Sequence, residues 1–170
     1  MSTDPQRQPM FVPNSPVVDM DTAKLLAVTT LRLWVAPHRE PYGDHPFWKS
    51  GLQAAGIAPY GVNGFDTLFW ITLAAGRREL DVRCLNCPHL GLDEAWLLQL
   101  VNHSQFGLYH DAMAILGSWM IGPAVRAAII HLNLFARALS DAGLIVELPT
   151  GGARLLPAST PMAAQRGLVH

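Results

Sequence analysis

Apolar residues recur along the middle of this chain at intervals of three and four, the spacing of one helical face, and turn-forming residues punctuate them. The first periodic run follows Asp21 and Thr22, both good helix caps, and reads KLLAVTTLRLWV up to Pro37, with Leu25, Val28, Leu31 or Arg32, and Val35 on one side. Its β-branched Val28, Thr29 and Thr30 keep a strand open, but its length favours a helix. The segment PHREPYGDHP that follows is a loop. A second helix is expected over FWKSGLQAA, with Pro46 in its first turn and Gly56 closing it. A third is expected from Asn63 or Gly64 through FDTLFWITLAA to Gly76, with Gly76 as a left-handed C-terminal cap.

Glu79 to Arg83 alternates as an edge strand or an extended connector does. Asp93 then caps EAWLLQLVNHS, whose inward stripe is Trp96, Leu97, Leu100 and Val101. Gly107 either kinks this helix or separates it from another over Tyr109 to Met120. The last helix opens at Pro123 and runs to Gly143, with Val125, Ala128, Ile129, Leu132, Phe135, Ala136 and Leu139 on its core face. The fold class is therefore mainly α: one domain, an irregular bundle of five or six helices, with flexible termini. Residues 1–19 read as an N-terminal tail, 20–148 as the helical domain and 149–170 as a C-terminal tail rich in Gly, Ala, Pro and Thr.

Composition narrows the possibilities. Half of the 170 residues are apolar and 15% are charged, which excludes disorder of the whole chain and supports one core. Ten Arg and two Lys are scattered and slightly outnumbered by thirteen acidic residues, so no basic stripe is available to neutralise a nucleic-acid backbone. The first eighteen residues hold four prolines and no continuous apolar run, unlike a secretory signal, and the chain is expected to remain in the cytoplasm. The longest apolar stretch, Ala112 to Val125, falls short of the roughly 20 residues of a bilayer crossing. No transmembrane segment is expected, while the low charge leaves peripheral membrane docking open.

Only two cysteines occur, in Cys84-Leu85-Asn86-Cys87-Pro88-His89. Two thiolates separated by two residues can turn back on one metal ion, and zinc would then need two further ligands. His89 lies next to the pair, and His103 follows on the next helix; His110, seven residues beyond His103, would share its face if the helix ran unbroken through Gly107. A metal bridging two subunits, with two cysteines from each, would complete the same set. The competing chemistry is thiol redox with Cys84 or Cys87 as nucleophile, although Asp81, Asp93 and Glu94 nearby oppose a thiolate. The third possibility is that both cysteines are simply packed in a tight turn. Covalent haem attachment is set aside because Pro88 intervenes before the histidine.

Other groups carry less. His38, Glu40, Asp44 and His45 crowd one polar loop, and His131 reads as a packing residue. Gly61, Gly64 and Gly76 do not make a phosphate-binding spacing, and the signatures of nucleotide-binding loops, nucleophile elbows and zinc proteases are missing. From Leu52 to Leu144 the order of features resembles an uncharacterised family of small alphaproteobacterial proteins: a Leu- and Ala-rich helix, an extended piece, a turn with Cys87-Pro88, Asp93-Glu94 opening a Leu-rich helix, and a closing helix ending in Ala142-Gly143-Leu144. The resemblance implies a helical fold and a bacterial source, and carries no activity with it. That family's turn is denser in cysteine than CLNCPHL.

Three functions are compatible with the sequence. The first is a non-enzymatic accessory or interaction protein, with a protein partner or a second copy of itself, whose Cys84 and Cys87 turn is either packed or pinned by zinc. The second is a thiol-dependent oxidoreductase using those two residues. The third is a small-molecule binder with an apolar pocket between helices.

Overall fold

The computed structural model describes residues 8–149, and of the flexible tails expected at 1–19 and 149–170 the parts 1–7 and 150–170 lie outside the described residues. Six α-helices and a single 3₁₀ turn, Val17–Asp19, make up the regular structure of that span. The helices are α1 Thr22–Arg39, α2 Lys49–Ala54, α3 Pro59–Ala75, α4 Leu92–Gln105, α5 Tyr109–Trp119 and α6 Gly122–Asp141. The expected mainly α bundle is what the chain forms.

Asp21 caps α1 as its sequence suggests, its carboxylate accepting from the Lys24 N–H at 3.0 Å. Pro37 does not stop the helix, which continues to Arg39. In the last turn a proline costs one intrahelical bond, and the Trp34 carbonyl close by is taken by His38 Nδ1 at 2.9 Å. α2 is shorter than expected, one and a half turns, closed by Gly56 at φ 74°. α3 starts four residues earlier than Asn63, with Pro59 at its first position, where the absent N–H has no partner to lose.

α3 and α6 pack most closely, and two glycines make this possible. A Cβ on Gly61 would come within 2.2 Å of the Ala138 side chain, and one on Gly64 within 2.8 Å of the His131 carbonyl. The Gly61 and Gly64 pair is thus a helix-contact face.

α4 is the central helix. It is buried on all sides from Asp93 to Ser104, not along a single stripe, as a helix surrounded by its neighbours must be. Its polar side chains consequently bond to the segments that cover it. Gln99 Oε1 accepts from the Met10 N–H at 2.8 Å, which fastens the N-terminal segment. Asn102 donates to the Val146 carbonyl at 2.7 Å, and Gln105 donates to Leu144 at 2.8 Å and accepts from the Val146 N–H at 2.9 Å. Residues 8–19 are therefore not a tail: Phe11 is in the core, and Asn14 and Val17 donate to the carbonyls of Leu90 and Pro88.

Gly107, at φ 74°, ends α4 and separates it from α5. Gly76 is not the left-handed cap its position suggested. It is extended, at φ −65°, and forms an isolated antiparallel bridge with Met120. A Cβ there would meet the Thr72 carbonyl at 2.6 Å. Residues 79–83 form the extended connector, with no strand partner among the described residues.

Candidate functional site

The connector from Gly76 to Gly91 has little regular structure of its own, and two acidic residues at the start of α4 hold it in place. Asp93, expected as the helix cap, sits inside the first turn instead, fully buried, with Gly91 at the cap position. Its carboxylate receives both terminal nitrogens of Arg78 at 2.7 and 2.8 Å, the Asp81 N–H at 2.6 Å and the Trp119 indole N–H at 2.8 Å. Glu94, equally buried, receives Arg32 Nε at 2.7 Å and Nη2 at 2.8 Å, the Arg83 N–H at 2.9 Å and the Gly91 N–H at 2.7 Å. Burial works against the Arg32 charge, but the hydrogen bonds and attraction of Glu94 outweigh it and hold the guanidinium above its ordinary range.

Arg32 also fixes the cysteine turn. Its terminal nitrogens donate to the carbonyls of Cys87 at 2.7 Å and His89 at 2.9 Å, with a longer contact to Leu85 at 3.4 Å. The turn itself closes with the Cys87 N–H on the Cys84 carbonyl at 3.1 Å. Cys84 is exposed and Cys87 half-buried. His89 lies on the exposed side of the same loop, while His103 is buried within α4 and His110 is exposed beyond the break at Gly107. Among the described residues no three His, Cys, Asp or Glu side chains gather as a metal group, so Cys84, Cys87, His89 and His103 do not converge within one chain.

His103 has a different employment. Because Gln99 Oε1 accepts from Met10, the Gln99 amide nitrogen must face His103 Nε2, 3.1 Å away. Nε2 is then the acceptor, and the ring proton is on Nδ1, which has no described partner. Burial lowers the His103 pKa, with Asp111 opposing weakly. His45 Nε2 pairs with the Glu40 carbonyl at 2.9 Å in the exposed loop.

A concavity lies elsewhere, where the C-terminal ends of α1 and α3 meet the connector. It encloses about 450 Å³, within the roughly 300–1,000 Å³ span of small-molecule sites. Trp34 and Phe69 form its floor, Leu73, Leu80 and Val82 continue the apolar lining, and His38, Arg39, Arg77 and Arg78 stand around it. The floor is built from packed rings: His38 stacks on Trp34 with centroids 4.4 Å apart, and Phe69 is tilted against Trp34 with centroids 5.7 Å apart. The Trp34 indole N–H is taken by Asp66 at 2.8 Å and the Thr72 hydroxyl by the Leu68 carbonyl at 2.9 Å. These two polar atoms are therefore satisfied within the fold, and the lining of the cleft is mostly but not wholly apolar.

Sequence reasoning passed over Arg39, Arg77 and Arg78. The available signal was the Arg77-Arg78 pair next to Gly76 at a helix end. Arg32 gave a second signal, a charged residue on an apolar helical face, which announces a buried partner. No family model, no curated protein and no solved structure matches this chain. No described helix is long and apolar enough to cross a membrane.

Proposed function

We propose that this chain is a ligand-binding helical protein, and that the cleft between α1, α3 and the connector is where it binds. The supporting observation is the cleft's construction: an aromatic floor whose polar atoms are satisfied internally, walled by a connector that is pinned to buried Asp93 and Glu94. A concavity with so fixed a wall is preorganised, which lowers the entropic cost of binding. The experiment is a nuclear magnetic resonance titration of the full chain with flat aromatic compounds of naphthalene size. The Trp34 indole N–H and the Thr72 amide are expected to shift together. Absence of any shift at millimolar probe would remove the cleft as a ligand site.

Self-association is a second reading, supported by Trp70 and Leu73, one turn apart on α3 and each more than half exposed. Sedimentation at micromolar concentration tests it, and a monomer would count against it.

A further inference from the structure

We infer that the ligand of this cleft is an anion carried on a flat apolar body, an aromatic carboxylate in its simplest form, and that Arg77 holds the charge. The inference rests on the cleft being a ligand site. Its lining side chains bring three guanidinium groups, Arg39, Arg77 and Arg78, against one carboxylate, Glu79. That excess alone decides little, because α1 and α3 both end here, each adding about half a negative charge from its macrodipole. What decides is which donors are already engaged.

Arg78 is spent on Asp93 through both terminal nitrogens. Arg39 donates to the carbonyls of Val82 and, at 3.2 Å, Leu80, and lies 3.5 Å from Glu79. Both arginines therefore serve the connector and the helix ends. Arg77 differs. Its Nε donates to the Met120 carbonyl at 3.0 Å, which fixes the plane of the guanidinium, and its two terminal nitrogens have no hydrogen-bond partner among the described residues. A guanidinium held by Nε presents the remaining pair of N–H groups side by side, the spacing that matches the two oxygens of a carboxylate.

The rest of the cleft selects the body that carries the anion. Trp34 Nε1 and Thr72 Oγ1 are already bonded within the fold, and Trp34 and Phe69 are buried with His38 stacked on the indole, so the cleft presents ring edges and the aliphatic carbon of Leu73 and Leu80 and would leave a polar body without partners. His38 donates from Nδ1 to the Trp34 carbonyl, leaving Nε2 as the one further polar atom of that ring. The ligand is thus divided as the cleft is: a flat apolar part against Leu73, Leu80 and the edges of Trp34 and Phe69, and an anionic head at Arg77.

The test compares 2-naphthoate with 2-naphthamide, which share shape and differ in charge, by calorimetric titration of the full chain and of Arg77→Gln. The carboxylate is expected to bind the unaltered chain about tenfold more tightly than the amide, the difference of a charge-assisted pair. In Arg77→Gln the two should bind alike, with the amide unchanged from its value in the unaltered chain, a result that also shows the variant to be folded. Equal affinities in the unaltered chain would overturn the anion while leaving the cleft as a site. A preference for the carboxylate that survives Arg77→Gln would overturn the assignment of Arg77. Failure of both compounds to bind would remove the site itself.

Discussion

Replacing Glu94 by Gln changes one atom and should cost this protein a large part of its stability. The carboxylate accepts four hydrogen bonds, two on each oxygen: Arg32 Nε and the Arg83 N–H on one, Arg32 Nη2 and the Gly91 N–H on the other. A glutamine has one acceptor oxygen, so in either orientation its amide nitrogen confronts two donors. Arg32, only 3% exposed, would be left as an uncompensated buried cation. Breaking one side of a buried ion pair costs about 3–5 kcal/mol. With a urea dependence of about 1–3 kcal/mol per M, the unfolding midpoint should fall by roughly 2 M. The assay is equilibrium urea unfolding followed by far-ultraviolet circular dichroism at pH 7. Because the pair is shielded from solvent, 0.5 M sodium chloride should leave the difference in place. The double variant Arg32→Met with Glu94→Met should lose much less than the sum of the two single losses, since it removes both charges together. A loss below about 1 kcal/mol for Glu94→Gln, or full additivity in the double variant, would refute the reasoning, because such values belong to exposed pairs.

Three further outcomes follow from the same geometry. The lowered pKa of His103 means that the unfolded chain takes up a proton there more readily than the folded one, so stability should fall as pH drops through and below the ordinary histidine range near 6.5; His103→Gln should flatten that slope, and an unchanged pH profile of the unfolding midpoint would contradict it. Gly61→Ala gains helix propensity of about 1 kcal/mol but drives a methyl into Ala138 at an overpacking cost of about 1–3 kcal/mol, so thermal unfolding should show a net loss of up to about 2 kcal/mol, and a stabilised variant would mean that α3 and α6 sit farther apart. In alkylation followed by peptide mass spectrometry, exposed Cys84 should be modified before half-buried Cys87, and Arg32→Met, which frees the Cys87 and His89 carbonyls, should narrow the gap; equal rates in the unaltered chain would argue against a fixed turn.

Local and periodic features were legible in the sequence. Apolar residues at three- and four-residue spacing located the helices, since the pattern follows directly from the helical repeat, and Asp21, Gly56 and Gly107 marked boundaries through their own backbone chemistry. Boundaries that depend on surroundings were not legible: Pro37 is passed by α1, Pro59 opens α3 ahead of its capping residues, and Gly76 is required by a close carbonyl rather than by a left-handed turn. Asp93 and Glu94 read as a helix start because acidic residues favour that position, and nothing local distinguishes a solvated cap from a buried acceptor for Arg78 or Arg32. Likewise, the spacing of Cys84, Cys87, His89 and His103 suggested ligands, but whether side chains converge depends on how α4 lies against the turn. The amino-acid pattern by itself thus determined that the chain is a helical bundle with one core. Tertiary structure alone decided that α4 is buried on every side, that residues 8–19 cover it, and that α1, α3 and the connector leave a cleft with Arg77 at its rim. Helices arise from contacts three and four residues apart, whereas a cleft and an ion pair join residues tens of positions apart, whose meeting no local spacing encodes.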